Sequence, residues 1–299
     1  MKIFIAGSSG FVGSRLIDFL IDKGHQVTAV DAMSLPRNIE SNTFRFIQAD
    51  TTQTGQWQES IQAADMVINL TGKNIFHRWT DKYKQQIYDS RILTTRNIVN
   101  AIPDGKTKLL ISTSAVGYYG DCGDDVLDEN KDAGDDFLAQ VCIDWEKEAL
   151  LARKKGARVV RTRFGVVLGA NGGALSKMIP AYRLFVGGPL GNGRQWFSWI
   201  QIEDLINALY FIMNKDDIDG PLNFCAPNPV RNNEFSKTLG KVLKRPALFR
   251  TPAFMLRLAA GELGDLLLNS QRVIPSRLAS SGYTFRYPHL FEALQASVG

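Results

Sequence analysis

Glycines near the start of the chain have the spacing of a phosphate-binding turn. Gly7, Gly10 and Gly13 follow the pattern G-x-x-G-x-x-G, between a short apolar run and a segment with helical periodicity. In such a strand–turn–helix unit the glycines permit a tight turn, the close approach of a pyrophosphate and close packing of the helix on the strand. The N–H groups and positive dipole end of the helix attract the phosphates. The pattern predicts a dinucleotide site contacted by Gly7, Ser9, Gly10, Phe11, Val12 and Gly13.

An acidic residue lies where such a site would contact the adenosine ribose. Asp31 ends the second strand-like run, 18 residues after Gly13. A carboxylate at this position accepts hydrogen bonds from both ribose hydroxyls and repels a 2′-phosphate, so it favours NAD over NADP. Arg37 is close in sequence and is the alternative, because it could pair with a 2′-phosphate. The expected cofactor is therefore NAD or NADP, with a slight preference for NAD.

Further candidate contacts follow the next strand-like runs. In a doubly wound sheet, ligands bind at the carboxyl ends of the strands. Asp50 ends the third run and is expected near the adenine, while Leu70, Thr71 and Gly72 follow the fourth, where the cofactor would pass. Ordinary turns explain these residues equally well. Ser112 lies at the end of the fifth run and is a further candidate cofactor contact.

The composition excludes several classes of protein. The chain has 299 residues, of which 44% are hydrophobic and 22% charged, and a net charge of +5. The three cysteines lack metal-ligand spacing, so we expect no metal site and a reducing, cytoplasmic setting. Basic residues are interspersed with acidic ones apart from a stretch near residues 241–250, so no nucleic-acid partner is expected. No apolar run approaches the ~20 residues of a membrane helix, and we expect no membrane partner.

The elements that must position these residues alternate along the first half of the chain. Strand-like runs separated by helical periodicity predict an α/β fold, a doubly wound parallel sheet of the Rossmann type. After Gly169 clustered glycines break the pattern. We therefore predict a Rossmann domain over residues 1–168, with returning segments at about 197–226, and a smaller C-terminal α/β substrate domain over residues 169–299. Monomer and homodimer remain open alternatives.

Long collinear segments give the chain a family resemblance. They include GSSGFVG from Gly7, ISTSAVGYYGDCGD from Ile111, VVRTRFGVVLGANGGALSKM from Val159 and QRVIPSRLASSGYTFRYP from Gln271. Through them the chain resembles the extended short-chain dehydrogenase/reductase superfamily, in the nucleoside-diphosphate-sugar epimerase-like branch with a C-terminal domain of unknown function. The resemblance implies a dinucleotide cofactor, a Rossmann domain with a substrate domain, and an unassigned reaction.

The resemblance breaks at the superfamily's catalytic residues. That group uses a Ser after the fifth strand and a Tyr and Lys four residues apart on the next helix, where the Lys lowers the pKa of the Tyr. Ser114 matches the Ser, but Leu138 and Cys142 stand where the Tyr and Lys would be. Tyr118 and Tyr119, just after Ser114, are candidate substitutes, although packing explains them too. Cys142 has no obvious His base, which favours a small buried residue over a nucleophile.

Polar residues around the expected cofactor edge are candidate substrate contacts. They are Lys73, Asn74, Arg78, Arg91, Cys142, Gln195 and Trp196. An exposed helix residue is the alternative for Arg91, and packing between segments is the alternative for Trp196. The leading hypothesis is an NAD(P)-dependent oxidoreductase or epimerase acting on a small polar, nucleotide-sugar-like substrate. A non-catalytic dinucleotide sensor or regulatory protein is the second hypothesis, because the Tyr and Lys are missing.

Overall fold

The computed structural model describes residues 1–35 and 39–298. The strands are β1 Lys2–Ala6, β2 Gln26–Asp31, β3 Phe44–Gln48, β4 Met66–Asn69, β5 Leu109–Ala115, β6 Val126–Leu127, β7 Arg158–Phe164, β8 Val166–Leu168, β9 Trp196–Phe197, β10 Trp199–Gln201, β11 Gly220–Phe224, β12 Val230–Arg231 and β13 Arg272–Val273. The α-helices are α1 Phe11–Asp22, α2 Asp81–Ala101, α3 Phe137–Leu150, α4 Leu175–Arg183, α5 Ile202–Met213, α6 Asn232–Leu243, α7 Ala253–Ala260, α8 Glu262–Leu266, α9 Ser276–Ser280 and α10 Leu290–Val298. Short 3₁₀ segments cover Gln56–Ala63, Val116–Tyr119 and Leu151–Lys155.

Seven strands form one parallel sheet in the order β3-β2-β1-β4-β5-β7-β11. The chain moves outward from β1 through β2 to β3, then returns to β4 on the other side of β1 and continues to β11. This reversal between β1 and β4 is the point at which doubly wound sheets bind ligands, outside the carboxyl ends of the strands. The sheet confirms the predicted Rossmann-type α/β fold.

Alternation along the central strand explains why helices cover both faces. Ile3 and Ile5 pack with the apolar residues of α1 and α5. Phe4 and Ala6, which point the other way, pack with residues of α2 and α3. Since side chains alternate along a strand, an unbroken apolar run must be covered on both sides. The glycine turn after β1 is thereby held between two buried layers.

The later part of the chain adds small sheets and helices beside the strand ends. β8 pairs with β10 in parallel and β9 pairs with β12 in antiparallel orientation. At the start of the returning segments expected at about 197–226, Ser198 separates β9 from β10, and its hydroxyl donates to the carbonyl of Gln271 and accepts from the N–H of Val273. A separate apolar cluster joins residues of α4, α6 and α10. In the described ranges no helix is long and apolar enough to cross a membrane.

Candidate functional site

The turn after β1 requires glycine at two of its three positions. Gly7 has φ +81°, and a Cβ there would lie 2.6 Å from the carbonyl carbon of Leu70. A Cβ on Gly13 would lie 2.3 Å from the carbonyl oxygen of Gly7. Gly10 is exposed, and a Cβ there would lie 3.4 Å from its nearest neighbour, the carbonyl oxygen of Gly7. Chain packing thus fixes Gly7 and Gly13, whereas the open space at Gly10 is where a pyrophosphate would lie.

Helix α1 starts without a side-chain cap. Its N-cap residue is Gly10, which offers no side chain to the first-turn N–H groups. These groups remain available to an anion, and the helix dipole adds positive potential. The ring of Phe11, the first helical residue, packs against a glycine loop that follows β8. A Cβ on Gly172 would lie 2.1 Å from this ring, and Gly169 and Gly173 contact it as well.

Asp31 is positioned by the glycine turn itself. One carboxylate oxygen accepts a hydrogen bond from the N–H of Ser9 at 2.9 Å, and the other accepts from the N–H of Met33 at 3.1 Å. Arg37 lies outside the described residues. Asp50 is exposed and accepts hydrogen bonds from the N–H and hydroxyl of Thr52, which form an ordinary turn.

Hydroxyl groups without partners gather at the carboxyl ends of neighbouring strands. Thr71 follows β4, and Ser112 and Ser114 lie on β5, with Ser112 in register with Asn69 of β4. Their side-chain oxygens are buried and make no hydrogen bond to any described residue. Such groups are costly unless a ligand or water satisfies them. Together with the uncapped α1, these hydroxyls fit the polar groups of a dinucleotide.

The face of α3 that looks toward β5 carries no charge at the two positions of the missing catalytic pair. The side chain of Leu138 packs against Gly117. Cys142 lies close to the hydroxyl of Ser114, and its thiol approaches the carbonyl of Ala115 at 3.9 Å. Burial raises the pKa of the Cys142 thiol to about 11. The thiol is therefore protonated at neutral pH and is a poor nucleophile.

The two tyrosines after Ser114 have different environments. The Tyr119 hydroxyl is buried, donates to Asn223 at 2.7 Å and accepts from Arg163 at 3.0 Å. Burial raises the pKa of Tyr119 well above its usual value. Arg163 in turn forms a bidentate ion pair with Glu146 of α3. The ring of Tyr118 is half-buried and covers the Arg163 guanidinium at 3.4 Å.

Arg91 of α2 places a positive charge beside the strand ends. Its guanidinium donates to the carbonyls of Ile87 and Lys73 at 3.0 and 3.2 Å. A Cβ on Gly72 would lie 3.0 Å from it. No described carboxylate pairs with Arg91, and burial lowers its pKa to about 10. The group is still charged at neutral pH.

The loop after β4 extends this cationic edge. The N–H of Lys73 donates to the hydroxyl of Ser90, and its ammonium lies 5.7 Å from the ring of Tyr83. Asn74 is exposed and accepts from the N–H of Phe76. Arg78 is exposed. Arg91 meets this loop at Gly72 and at the Lys73 carbonyl, whereas no described contact joins Asn74 or Arg78 to it.

Gln195 and Trp196 hold segments of the C-terminal part together. The buried amide of Gln195 donates to the carbonyls of Leu190 and Leu267. The indole N–H of Trp196 donates to Asp124. Its ring lies between the guanidinium groups of Arg231 and Arg272, 4.1 and 4.5 Å from the ring centre. Their contacts are those of packing residues.

The fold and the site together define a class. A doubly wound parallel sheet, a glycine turn at its switch point, an uncapped helix start and an acidic end to β2 are the features of a Rossmann-type dinucleotide-binding protein. Within the described residues no group of three or more His, Cys, Asp or Glu could hold a metal ion.

Comparison with known proteins identifies the family. The NAD dependent epimerase/dehydratase family model matches residues 3–224, and a domain of unknown function, DUF1731, matches residues 251–297. The chain therefore belongs to the NAD-dependent epimerase/dehydratase family, which confirms the resemblance read from its motifs.

Relatives match over nearly the whole chain. The Arabidopsis thaliana protein "Epimerase family protein SDR39U1 homolog, chloroplastic" is 38% identical over 99% of this chain and 86% of its own length. The Mycobacterium leprae protein "Epimerase family protein ML0860" is 41% identical over 98% of this chain and 94% of its own. A crystal structure of the human epimerase family protein SDR39U1, isoform 2, with NADPH has a TM-score of 0.87 and 32% identity, and the match covers 99% of both chains.

Proposed function

We propose that this NAD(P)-binding protein is an oxidoreductase or epimerase acting on a small polar, anionic substrate of the nucleotide-sugar kind. The observation that carries the proposal is the buried hydroxyl of Ser114 near the carboxyl end of β5, which forms no hydrogen bond to a described nitrogen or oxygen atom and has only the Cys142 thiol beside it. When bound, a nicotinamide cofactor supplies the hydride acceptor or donor. The chain's own residues must then orient the substrate oxygen, balance its charge and move one proton.

Ser114 has the geometry to hold the reacting oxygen. Apart from the thiol of Cys142, which is a weak acceptor, no described group accepts its hydrogen bond, so the hydroxyl can donate to a substrate carbonyl or carbinol oxygen. A preorganised donor in a water-poor site stabilises negative charge that develops on such an oxygen. Ser112, two residues earlier on the same face of β5, has another buried hydroxyl without a described partner, and we propose that it contacts the cofactor.

Tyr118 is the better proton donor of the two tyrosines. The hydroxyl of Tyr119 is committed to Asn223 and Arg163, and losing it would disturb a buried ion pair. Tyr118 touches this network only through its ring. Its phenol therefore has no structural duty in the described contacts and could exchange a proton with substrate.

We propose that the positive charge of Arg91 selects an anionic substrate. A guanidinium held by two backbone carbonyls and no carboxylate keeps N–H donors and a full charge for a ligand anion. Lys73 and Arg78 on the adjoining loop add positive potential. A phosphate or carboxylate on the substrate would be attracted by all three cationic side chains. The partner we propose is therefore a small anionic molecule.

Asp31 sets the cofactor preference in this proposal. Its carboxylate is fixed by two N–H groups and retains acceptor capacity for the ribose hydroxyls. The negative charge opposes a 2′-phosphate, so we propose tighter binding of NAD(H) than of NADP(H). The human relative was crystallised with NADPH. Measuring which cofactor this chain binds more tightly therefore tests the role proposed for Asp31.

One observation favours a second function. Leu138 and the protonated Cys142 leave α3 without an acid or a fixed charge at the reacting centre. A protein with these residues could bind the dinucleotide and report its redox state without turning over. This dinucleotide sensor is the alternative to the enzyme.

One experiment separates the two functions. The purified chain is mixed with NADH, NAD, NADPH and NADP, and a panel of nucleotide sugars, alcohols and ketones is added. Nicotinamide absorbance follows net oxidation or reduction, and proton NMR of the sugar detects epimerisation, which leaves absorbance unchanged. Turnover that depends on Ser114 supports the enzyme. Tight cofactor binding with neither signal across the panel rejects it in favour of the sensor.

A further inference from the structure

The exposed apolar residues of this protein are concentrated in one region. Thirteen large apolar side chains are exposed in the described ranges. Eight of them belong to two segments, residues 184–186 and residues 248–258, and have exposures of 50–81%. They are Leu184, Phe185, Val186, Leu248, Phe249, Phe254, Met255 and Leu258. We call this set the basic-apolar surface, for the charges described below. Apolar clusters of this kind mark interaction sites in soluble proteins.

Backbone contacts bring the two segments together. A Cβ on Gly188 would lie 2.2 Å from the carbonyl oxygen of Phe249. The N–H of Gly191 donates to the carbonyl of Thr251, and the N–H of Thr251 donates to the carbonyl of Pro189. The guanidinium of Arg245 lies 5.1 Å from the ring of Phe185. The two segments therefore form one continuous surface.

Helix α7 presents one apolar face without cover. None of its residues is buried. Leu258 lies four residues after Phe254 and three after Met255, so it neighbours both on one side of the helix. Helix α8 packs close to the backbone at Leu256, where a Cβ on Gly264 would lie 2.5 Å from its carbonyl oxygen. The exposed face of α7 is unpartnered, while neighbouring contacts hold the helix in place.

The two longer stretches that contain these segments carry an excess of positive charge. Residues 175–202 and 235–261 contain nine Lys and Arg and no Asp or Glu. In the rest of the chain the other 26 basic residues are outnumbered by the 30 acidic ones. Arg183, Lys244 and Arg250 pair with no described carboxylate. The basic stretch near residues 241–250 is visible in the sequence, and folding places it beside the segment at 184–186, where the Arg245 guanidinium approaches the ring of Phe185.

We propose that the basic-apolar surface docks the protein peripherally on an anionic lipid bilayer. Exposed Leu, Phe and Met side chains would enter the interface between headgroups and acyl chains, and the flanking cations would contact anionic headgroups. A second copy of this chain would oppose two surfaces of the same sign, which disfavours self-association. A nucleic acid would leave the aliphatic side chains without partners. The proposal departs from the sequence-based expectation of no membrane partner, although it requires no spanning helix.

Co-sedimentation of the full chain with vesicles tests the proposal. The vesicles contain phosphatidylcholine alone or phosphatidylcholine with phosphatidylglycerol. Two double variants probe the surface, Phe254→Ser with Leu258→Ser and Arg183→Gln with Arg250→Gln. Matched controls are Leu151→Ser, an exposed leucine outside it, and Lys106→Gln with Lys154→Gln, exposed lysines outside it. Unchanged melting temperature and cofactor binding show that each variant is folded.

We expect binding to the anionic vesicles that weakens about ten-fold or more in each surface variant, because one variant removes apolar side chains from the interface and the other removes two cations near the headgroups. Added salt should weaken it further, and the controls should bind as the parent chain does. Absence of binding to both vesicle types overturns the proposal, as does binding that neither surface variant alters. Tighter binding to an oligonucleotide than to vesicles, or a dimer in sedimentation that Phe254→Ser with Leu258→Ser dissociates, also overturns it.

Discussion

The carboxylate of Asp31 accepts a hydrogen bond from the backbone N–H of Ser9 at 2.9 Å. One residue of the glycine turn is thus tied to the end of β2. The contact fixes the distance between the backbone that we expect to bind phosphate and the carboxylate that we expect to face the adenosine ribose. The turn and the acidic residue therefore act as a single preorganised unit.

This unit leads to a prediction about cofactor choice. Asp31→Asn keeps an oxygen acceptor for one of the N–H groups but removes the negative charge. We expect the ratio of NADH to NADPH affinity, measured by calorimetry, to fall about ten-fold, a change of ~1.4 kcal/mol. Asp50→Asn, at an exposed turn, is the control and should leave the ratio unchanged. An unaltered ratio in Asp31→Asn would mean that another residue sets the preference.

Substitutions at two glycines of the turn should have different effects, one on stability and the other on cofactor affinity. Gly13→Ala places a Cβ against backbone and should lower the free energy of unfolding by about 1–3 kcal/mol. Gly10→Ala meets no such contact, so its stability should be close to that of the parent chain while its cofactor affinity falls. Denaturant titration and calorimetry measure the two effects. Equal loss of stability in both variants would contradict this division.

Ser114 should matter for turnover and not for cofactor binding. If the enzyme hypothesis holds, Ser114→Ala removes the donor to the reacting oxygen and should lower kcat by about 10²–10³-fold. Thr113→Ala removes another unpartnered hydroxyl from β5, on its opposite face, and is the matched control. Similar rates in the parent chain and Ser114→Ala would remove this serine from the mechanism.

The two tyrosines should respond differently to loss of their hydroxyls. Tyr119→Phe leaves Asn223 and Arg163 short of a buried partner, so we expect a loss of about 1–3 kcal/mol in unfolding free energy. Tyr118→Phe should leave stability unchanged and lower turnover. Thermal unfolding and steady-state rates distinguish the two outcomes. A stable Tyr119→Phe variant would show that its buried hydrogen bonds contribute little.

The thiol of Cys142 should be unreactive in the folded protein. Its pKa is raised from 9.0 to about 11, so the thiolate fraction at neutral pH falls about a hundred-fold below that of an ordinary thiol. Alkylation by iodoacetamide should be slow at pH 7, should accelerate as pH rises toward 11, and should become fast in denaturant. Peptide mass spectrometry, with Cys142→Ser as reference, assigns the adduct. Rapid labelling at pH 7 would restore Cys142 as a nucleophile.

Local patterns predicted much of this architecture. The glycine turn, the acidic end of β2 and the strand–helix alternation depend on neighbouring residues, and the sheet forms as they indicate. Contacts between residues far apart in the sequence could not be predicted from local patterns. The pairing of Arg163 with Glu146 and the hydrogen bond from Tyr119 to Asn223 depend on how α3 and β11 pack. The ligand contacts themselves stay predictions, because hydroxyls without partners show where a ligand fits and not which one binds.

The contact of Phe11 with Gly172 has a consequence for synthesis of the chain. The phenyl ring belongs to the first helix, but its cover is provided by residues about 160 positions later. As the polypeptide leaves the ribosome, the first strand and helix can form early, yet the ring stays in water until the loop at 169–173 emerges. Closing so long a loop is slow compared with forming local structure. A nascent chain halted before this loop therefore lacks the glycines that pack on the Phe11 ring in the folded protein.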